Sequence, residues 1–291
     1  TQLVEQGMND DNSSVREVVA NSLGTLAKID KEKYTQLVEQ GMNDDDSSVR
    51  EAVAQKLGLL AAIDKKKYTQ LYELGIKDHH YAVRPTVANT LGALAAIDKE
   101  KYIQLFEQGI QDNDYGVRIA VASTLRVLAN IDPNKYTKLC EQEMNDNNSH
   151  IKETVATSLG ELAAIDKEKY TQLYQQGMKD DNRSVRTAVA KTLGALAAVD
   201  TEKFIQLYGL GIKKNERSVK LHVALTLGAL APVDSEKYTK LCELGMVDDD
   251  KLIRFAVAKT LGKLADIDKE KYTKLCEQGM IDDDSSVRHA V

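Results

Sequence analysis

The chain repeats itself every 34 residues from its first residue to its last, without an insertion or a deletion. Thr1, Thr35, Thr69, Ile103, Thr137, Thr171, Ile205, Thr239 and Thr273 open successive copies, giving eight full repeats and part of a ninth. A fixed period of this length is the signature of a solenoid, in which each unit buries its apolar side only against its neighbours. Such arrays present long surfaces and seldom carry chemistry. The period therefore bounds architecture and functional class together, and leaves the partner open.

Each copy reads as two helices. Asp30, Asp64, Asp98, Asp132, Asp166, Asp200, Asp234 and Asp268 occupy one position, suited to a helix N-cap because a carboxylate accepts bonds from unpaired amides and meets the positive end of the helix dipole. Pro133 fits the first helical position after Asp132. Tyr34, Leu37, Val38, Gly41 and Met42 then recur at helical spacing as one apolar stripe. Gly41 and its equivalents are expected to end that helix as left-handed caps, with Glu143 the exception in the fifth copy.

An Asp/Asn-rich turn leads to a second helix, predicted over Val15 to Ile29. Val15, Val19, Ala20, Leu23, Leu26 and Ala27 share its buried stripe. Gly24 recurs in the middle of that helix, at a cost of roughly 1 kcal/mol against Ala. Its retention in every copy but the fourth, which has Arg126, predicts close helix approach there. Pro85, one turn into the second helix of the third copy, predicts a late or irregular start around His79 to Arg84.

The segment Asp44-Asp45-Asp46-Ser47-Ser48-Val49-Arg50, followed by Ala52-Val53-Ala54 and Leu57-Gly58-x-Leu60-Ala61, resembles the HEAT repeat, especially the short form of phycobilin lyase subunits. The resemblance covers the whole chain. It implies an all-α fold: an α-solenoid superhelix of stacked antiparallel helix pairs, right-handed, forming one domain over residues 1–291. Tetratricopeptide repeats share the 34-residue period, but their small-residue and proline positions do not fall into place here. In HEAT repeats an Asp of the turn and an Arg six residues later bond across neighbouring repeats as a ladder. The matching pairs are Asp10/Arg16, Asp44/Arg50, Asp78/Arg84, Asp112/Arg118, Asp180/Arg186, Asp248/Arg254 and Asp282/Arg288. Asp146/Lys152 is a weakened version, and the seventh copy departs at both ends with Lys214 and Lys220. Both chain ends lie inside repeats and supply no polar cap, so a fragment of a longer protein, with other domains as partners, is expected.

The chemistry-bearing patterns are few. No Gly-rich phosphate loop, His/Cys metal spacing or nucleophile elbow occurs, and neither a catalytic site, a metal nor a cofactor is expected. Asp78-His79-His80-Tyr81 gathers two imidazoles and a carboxylate, but adjacent residues rarely point at one ion; His80 reads better as a poor helix cap. Net charge is −6, which argues against nucleic acid. No apolar run approaches the ~20 residues of a membrane span. Cys140, Cys242 and Cys276 stand at a core position of three different repeats, as small hydrophobes in a reducing, cytoplasmic setting.

Comparison of the copies with one another is more informative. The outward face of the second helix comprises the positions of Ser14, Glu17, Val18, Asn21, Thr25 and Lys28, which vary while the buried stripe stays fixed. The HEAT resemblance places this column on the concave side. Early copies fill it with polar residues such as Glu17, Asn21 and Gln55. Later copies bring Ile119 and Val127, then Leu221, His222 and Leu225, then Leu252 and Phe255, rimmed by Lys191, Lys259 and Lys263. Apolar patches of this kind mark interaction sites. The expectation is a non-enzymatic scaffold that binds a protein or peptide segment on this surface. The alternatives are a sensor or regulatory arm of a larger signalling protein, a bilin lyase-like subunit, or a HEAT-like DNA glycosylase, whose groove would need basic and aromatic residues throughout.

Overall fold

The computed structural model describes residues 2–291, which form helices and turns with no strand among them. They fall into two compact units that divide between Tyr136 and Thr137. Within each unit the helices alternate in antiparallel pairs that stack copy on copy, an α-solenoid arrangement. The second copy shows the pattern: a first helix over Lys31–Met42, a turn, then a second helix over Ser47–Ala54 that tightens into a 3₁₀ segment over Leu57–Ala62.

Each first helix opens on its aspartate. Asp30 Oδ1 accepts the Lys33 amide at 3.0 Å, and Asp132 accepts that of Lys135 at the same distance. The other six aspartates repeat the bond. The turn uses carboxylates twice more. Asp44 Oδ1 accepts the Asp46 amide at 2.9 Å, and Asp46 Oδ1 accepts the Ser48 amide at 2.8 Å to cap the second helix. Two short acceptors spaced by one residue thus close the turn and start the helix.

The glycines have exchanged the roles read from sequence. No glycine has a positive φ, so Gly41 and its equivalents are not left-handed caps. A Cβ at Gly75 would lie 2.6 Å from Val87 Cγ2 and 2.7 Å from Met42 Cε. The equivalent glycines all meet the equivalent valine equally closely, so this is where the two helices of a copy touch. At Gly24 the nearest atom to such a Cβ is Leu59 Cδ1 at 3.6 Å, an ordinary contact. The closest approach therefore resides at the end of the first helix; in the middle of the second only Gly194 is tight, with Ala229 Cβ 3.2 Å from such a Cβ.

The second helix is also less regular than its stripe suggests. Only the first copy keeps an unbroken α-helix, Ser13–Ile29. In the later full copies it changes to 3₁₀ geometry at the position of Thr90, usually Ser or Thr, whose hydroxyl donates to the carbonyl three residues back, as in Thr90 Oγ1 to Val87 O at 2.7 Å. That local bond competes with the α-helical ladder. The buried tyrosine of the first helix adds a hook: the Tyr68 hydroxyl donates to Thr90 O at 3.0 Å and that of Tyr238 to Thr260 O at 2.6 Å. Phe204 replaces the tyrosine opposite Thr226 and the 3₁₀ turn persists, so the tyrosine reinforces a turn already present. Pro85 acts as its stiffness requires. The helix containing it spans Val83–Asn89, two residues shorter at its start than Ser47–Ala54, and lacks a side-chain cap.

Neighbouring copies are joined by arginines. Arg50, 5% exposed, donates from Nε to Asp78 Oδ2 of the next copy at 2.7 Å and from Nη1 to the Asp44 carbonyl of its own turn at 2.8 Å. The carboxylate partner is thus in the following copy, and the residue six positions earlier contributes its main-chain oxygen. Arg16–Asp44, Arg84–Asp112, Lys152–Asp180 and Arg254–Asp282 are equivalent. Arg118 holds the Asp112 carbonyl at 2.6 Å. The seventh copy, with Lys214 for aspartate, reroutes the line: Arg186 pairs with Glu216 at 2.6 Å, and Lys220 pairs with Asp250 rather than Asp248. Asp248 accepts the Asp250 amide instead, and its carbonyl takes Arg254 Nη1 at 2.9 Å. A second line runs between first helices, as in Lys67–Glu39 and Lys101–Glu73, both 2.8 Å.

Candidate functional site

In the second unit, three consecutive second helices present equivalent side chains in a row. Lys191 lies in the last turn of Arg183–Thr192, Leu225 ends Arg217–Leu225, and Lys259 follows Lys251–Ala258. The same position in earlier copies carries Asn21, Gln55, Asn89, Ser123 and Thr157. The row borders a groove of about 520 Å³, completed by His222 and Lys263 and floored by Gly194, Gly228 and Gly262. The glycines of the second helix keep this floor low, and a Cβ at Gly194 would also press on Ala229 Cβ at 3.2 Å.

The groove is basic in an acidic chain. Lys191 and Lys259 meet no carboxylate among the described residues, whereas the lysines of the first helices mostly do. Lys263 Nζ donates to the Gly228 carbonyl at 2.8 Å, and Lys259 Nζ stands 5.8 Å from the centre of the Phe255 ring. Both are placed at carbonyl-rich helix ends, which favour cations. His222 Nδ1 lies 2.7 Å from Ser218 O. Leu225 is 37% exposed inside this rim. The chemical capacity of the arrangement is binding: an apolar contact flanked by positive charges.

The structure brings together Lys191, His222, Leu225 and Lys259 in one groove, with Lys263. Leu221, Leu252 and Phe255 are half-buried and do not line it. Phe255 acts there only through the ammonium of Lys259 over its ring. Ile119 is half-buried in the first unit. His79 is exposed, with Nδ1 3.7 Å from Asp78 Oδ1, and His80 Nδ1 lies 3.4 Å from the Ala82 amide without capping the helix that follows. No three His, Cys, Asp or Glu side chains among the described residues are grouped to hold a metal ion. Among the same residues no helix is long and apolar enough to cross a membrane.

Residues 40–126 match the family model for HEAT repeats, and residues 1–29 match that for the HEAT repeat. These two segments are HEAT repeats, and the same 34-residue register runs unbroken between and beyond them. No curated protein matches it. Among solved structures, a chain from the structure of Kap95p binding with RanGDP aligns at a TM-score of 0.62 and 14% identity, over 99% of this chain and 45% of that one. A chain from the Kap95:Nup1 complex aligns at 0.61 and 12%, over 98% and 43%. This chain therefore spans less than half the length of either. At such identities the likeness is one of fold, the helical-repeat solenoid.

Proposed function

We propose that this protein is a non-enzymatic scaffold whose second-helix surface holds an acidic protein segment in the groove of the second unit. The observation that supports this best is the row Lys191, Leu225, Lys259, where two ammonium groups without carboxylate partners flank an exposed leucine. A segment bearing one large apolar residue between carboxylates fits that pattern. Burial of such a residue contributes roughly 1.5–3 kcal/mol, and charge complementarity adds mainly association rate and register. After association costs, micromolar affinity is the expected scale. The solved structures of similar fold come from protein complexes, of Kap95p with RanGDP and of Kap95 with Nup1, which agrees with a binding role. The buried cysteines Cys140 and Cys242, small core residues of different repeats, fit a reducing compartment such as the cytoplasm.

The reading is tested by fluorescence anisotropy with a labelled peptide that places Leu-Phe between Asp and Glu residues. Binding is expected to weaken with salt and to be lost in a Leu225→Asp, Phe255→Asp double variant whose helical circular dichroism is unchanged. Undiminished binding by that folded variant overturns the assignment.

A further inference from the structure

A second concavity lies on a different surface, between the first helices of the sixth and seventh copies, Lys167–Gly177 and Thr201–Ile212. It encloses about 280 Å³ and is lined by Tyr174, Met178, Leu207 and Leu210, with Lys179 and Lys214 at its edge. Tyr174 is 2% exposed, and its hydroxyl is one of three buried side-chain atoms without a hydrogen-bond partner among the described residues. A buried hydroxyl left unpaired is costly, so its persistence at the wall of a cavity calls for a partner from outside.

The copies show how this place differs from its equivalents. Three positions around it have lost acidic residues at once. Gln175 and Gly209 stand where the other copies have glutamate, and Lys214 stands where every other turn has aspartate. Both ion-pair lines bend around the gap. Arg186 has turned to Glu216, Lys203 bonds Gln206 at 2.9 Å, and Lys237 pairs with Glu202 at 2.6 Å. Lys179 and Lys214 pair with no carboxylate among the described residues. Tyr72, three repeats earlier, also has an unpartnered hydroxyl, but its cavity contains the Arg84–Asp112 ion pair, and Asp112 is the counterpart of Lys214. One tyrosine therefore shares its cavity with a neutralised aspartate, and the other with a free ammonium.

We propose that this cavity binds a small amphipathic anion, a carboxylate with an apolar tail of medium length. The carboxylate accepts the Tyr174 hydroxyl and the ammonium groups of Lys214 and Lys179, which are long enough to fold over the mouth. The tail lies against Met178, Leu207 and Leu210. Burial raises the Tyr174 hydroxyl well above its ordinary value, so it remains a neutral donor at physiological pH. Apolar walls with a few convergent polar groups are the usual make-up of a small-ligand site. This site is independent of the peptide groove, and Lys214 takes no part in that groove.

Isothermal titration of the whole chain with octanoate tests the proposal, with octyltrimethylammonium and inorganic phosphate as comparisons. Octanoate is expected to bind, the cation of equal tail not to bind, and phosphate to bind at least about tenfold more weakly. Lys214→Asp restores the residue of the other turns and gives Arg186 a carboxylate, so it is expected to fold; it should weaken octanoate at least about tenfold. Tyr174→Phe should weaken it several-fold and leave the acidic-peptide affinity unchanged. Absence of octanoate binding at millimolar concentration, equal binding of the cation or of phosphate, or an unchanged affinity in folded Lys214→Asp would each overturn the proposal.

Discussion

Glu143 occupies the position that eight other copies give to glycine against valine. It is 2% exposed, Oε1 has no partner among the described residues, and burial, with Asp146 adding to it, pushes its carboxyl up to about 7 from 4.5. A carboxyl raised in the folded state favours folding most when protonated. The stability it gives is complete below about pH 4.5 and is lost as pH rises through about 7. Glu143→Gly should therefore stabilise the protein by about 1–3 kcal/mol at pH 8, the range for relieving a buried unpaired group. The gain should shrink toward pH 5; urea titrations at both values measure it. The glycines supply a contrasting pair. Gly75→Ala must displace Val87 or Met42 and should cost about 1–3 kcal/mol. Gly24→Ala meets only ordinary contacts inside an unbroken helix and should stabilise by about 1 kcal/mol. Thermal melts giving the opposite order would refute the exchange of roles.

Between elements, the arginine line makes the turns cooperative. Asp78 is partly buried, which raises its carboxyl, but Arg50 and the His80 amide outweigh this and hold it below 3.8. Asp282 is held down at about 2, chiefly by Arg254. Depressed carboxylates contribute stability that is present above the ordinary value and is lost as pH falls through the folded one. Acid unfolding should thus set in below about pH 4, the reverse of the Glu143 dependence. Asp78→Ala leaves Arg50 buried beside only its own turn's carbonyls and should cost about 1–3 kcal/mol in denaturant titration. The residue types of this line were legible from spacing, but the carboxylate each arginine takes was not. Arg50 reaches Asp78 because stacking brings the next turn beside it, and Arg186 takes Glu216 because Lys214 offers no acceptor.

At the scale of the molecule, the proposed function rests on surfaces that several copies build jointly. The groove of Lys191, Leu225 and Lys259 was visible as a departure from the polar column in sequence, because equivalent positions of a regular array must align. A Lys191→Glu, Lys259→Glu double variant should lose most of its affinity for the acidic peptide and most of its salt dependence in the anisotropy assay, with melting unchanged. Leu221, Leu252 and Phe255 belonged to the same column by periodicity, yet each is partly buried and none lines the groove. A single helical projection does not resolve which members of a column the stacked copies cover.

The sequence alone determined the period, the aspartate caps, the two apolar stripes and the late start imposed by Pro85. These are local or strictly periodic consequences of backbone hydrogen bonding and of the need to bury one face per helix. Tertiary structure decided which glycine is squeezed, where the second helix tightens to 3₁₀, which carboxylate each arginine takes, and that Tyr174 is left with an unpaired hydroxyl beside Lys214. Each of those depends on distances between side chains of different helices, set only when the copies stack.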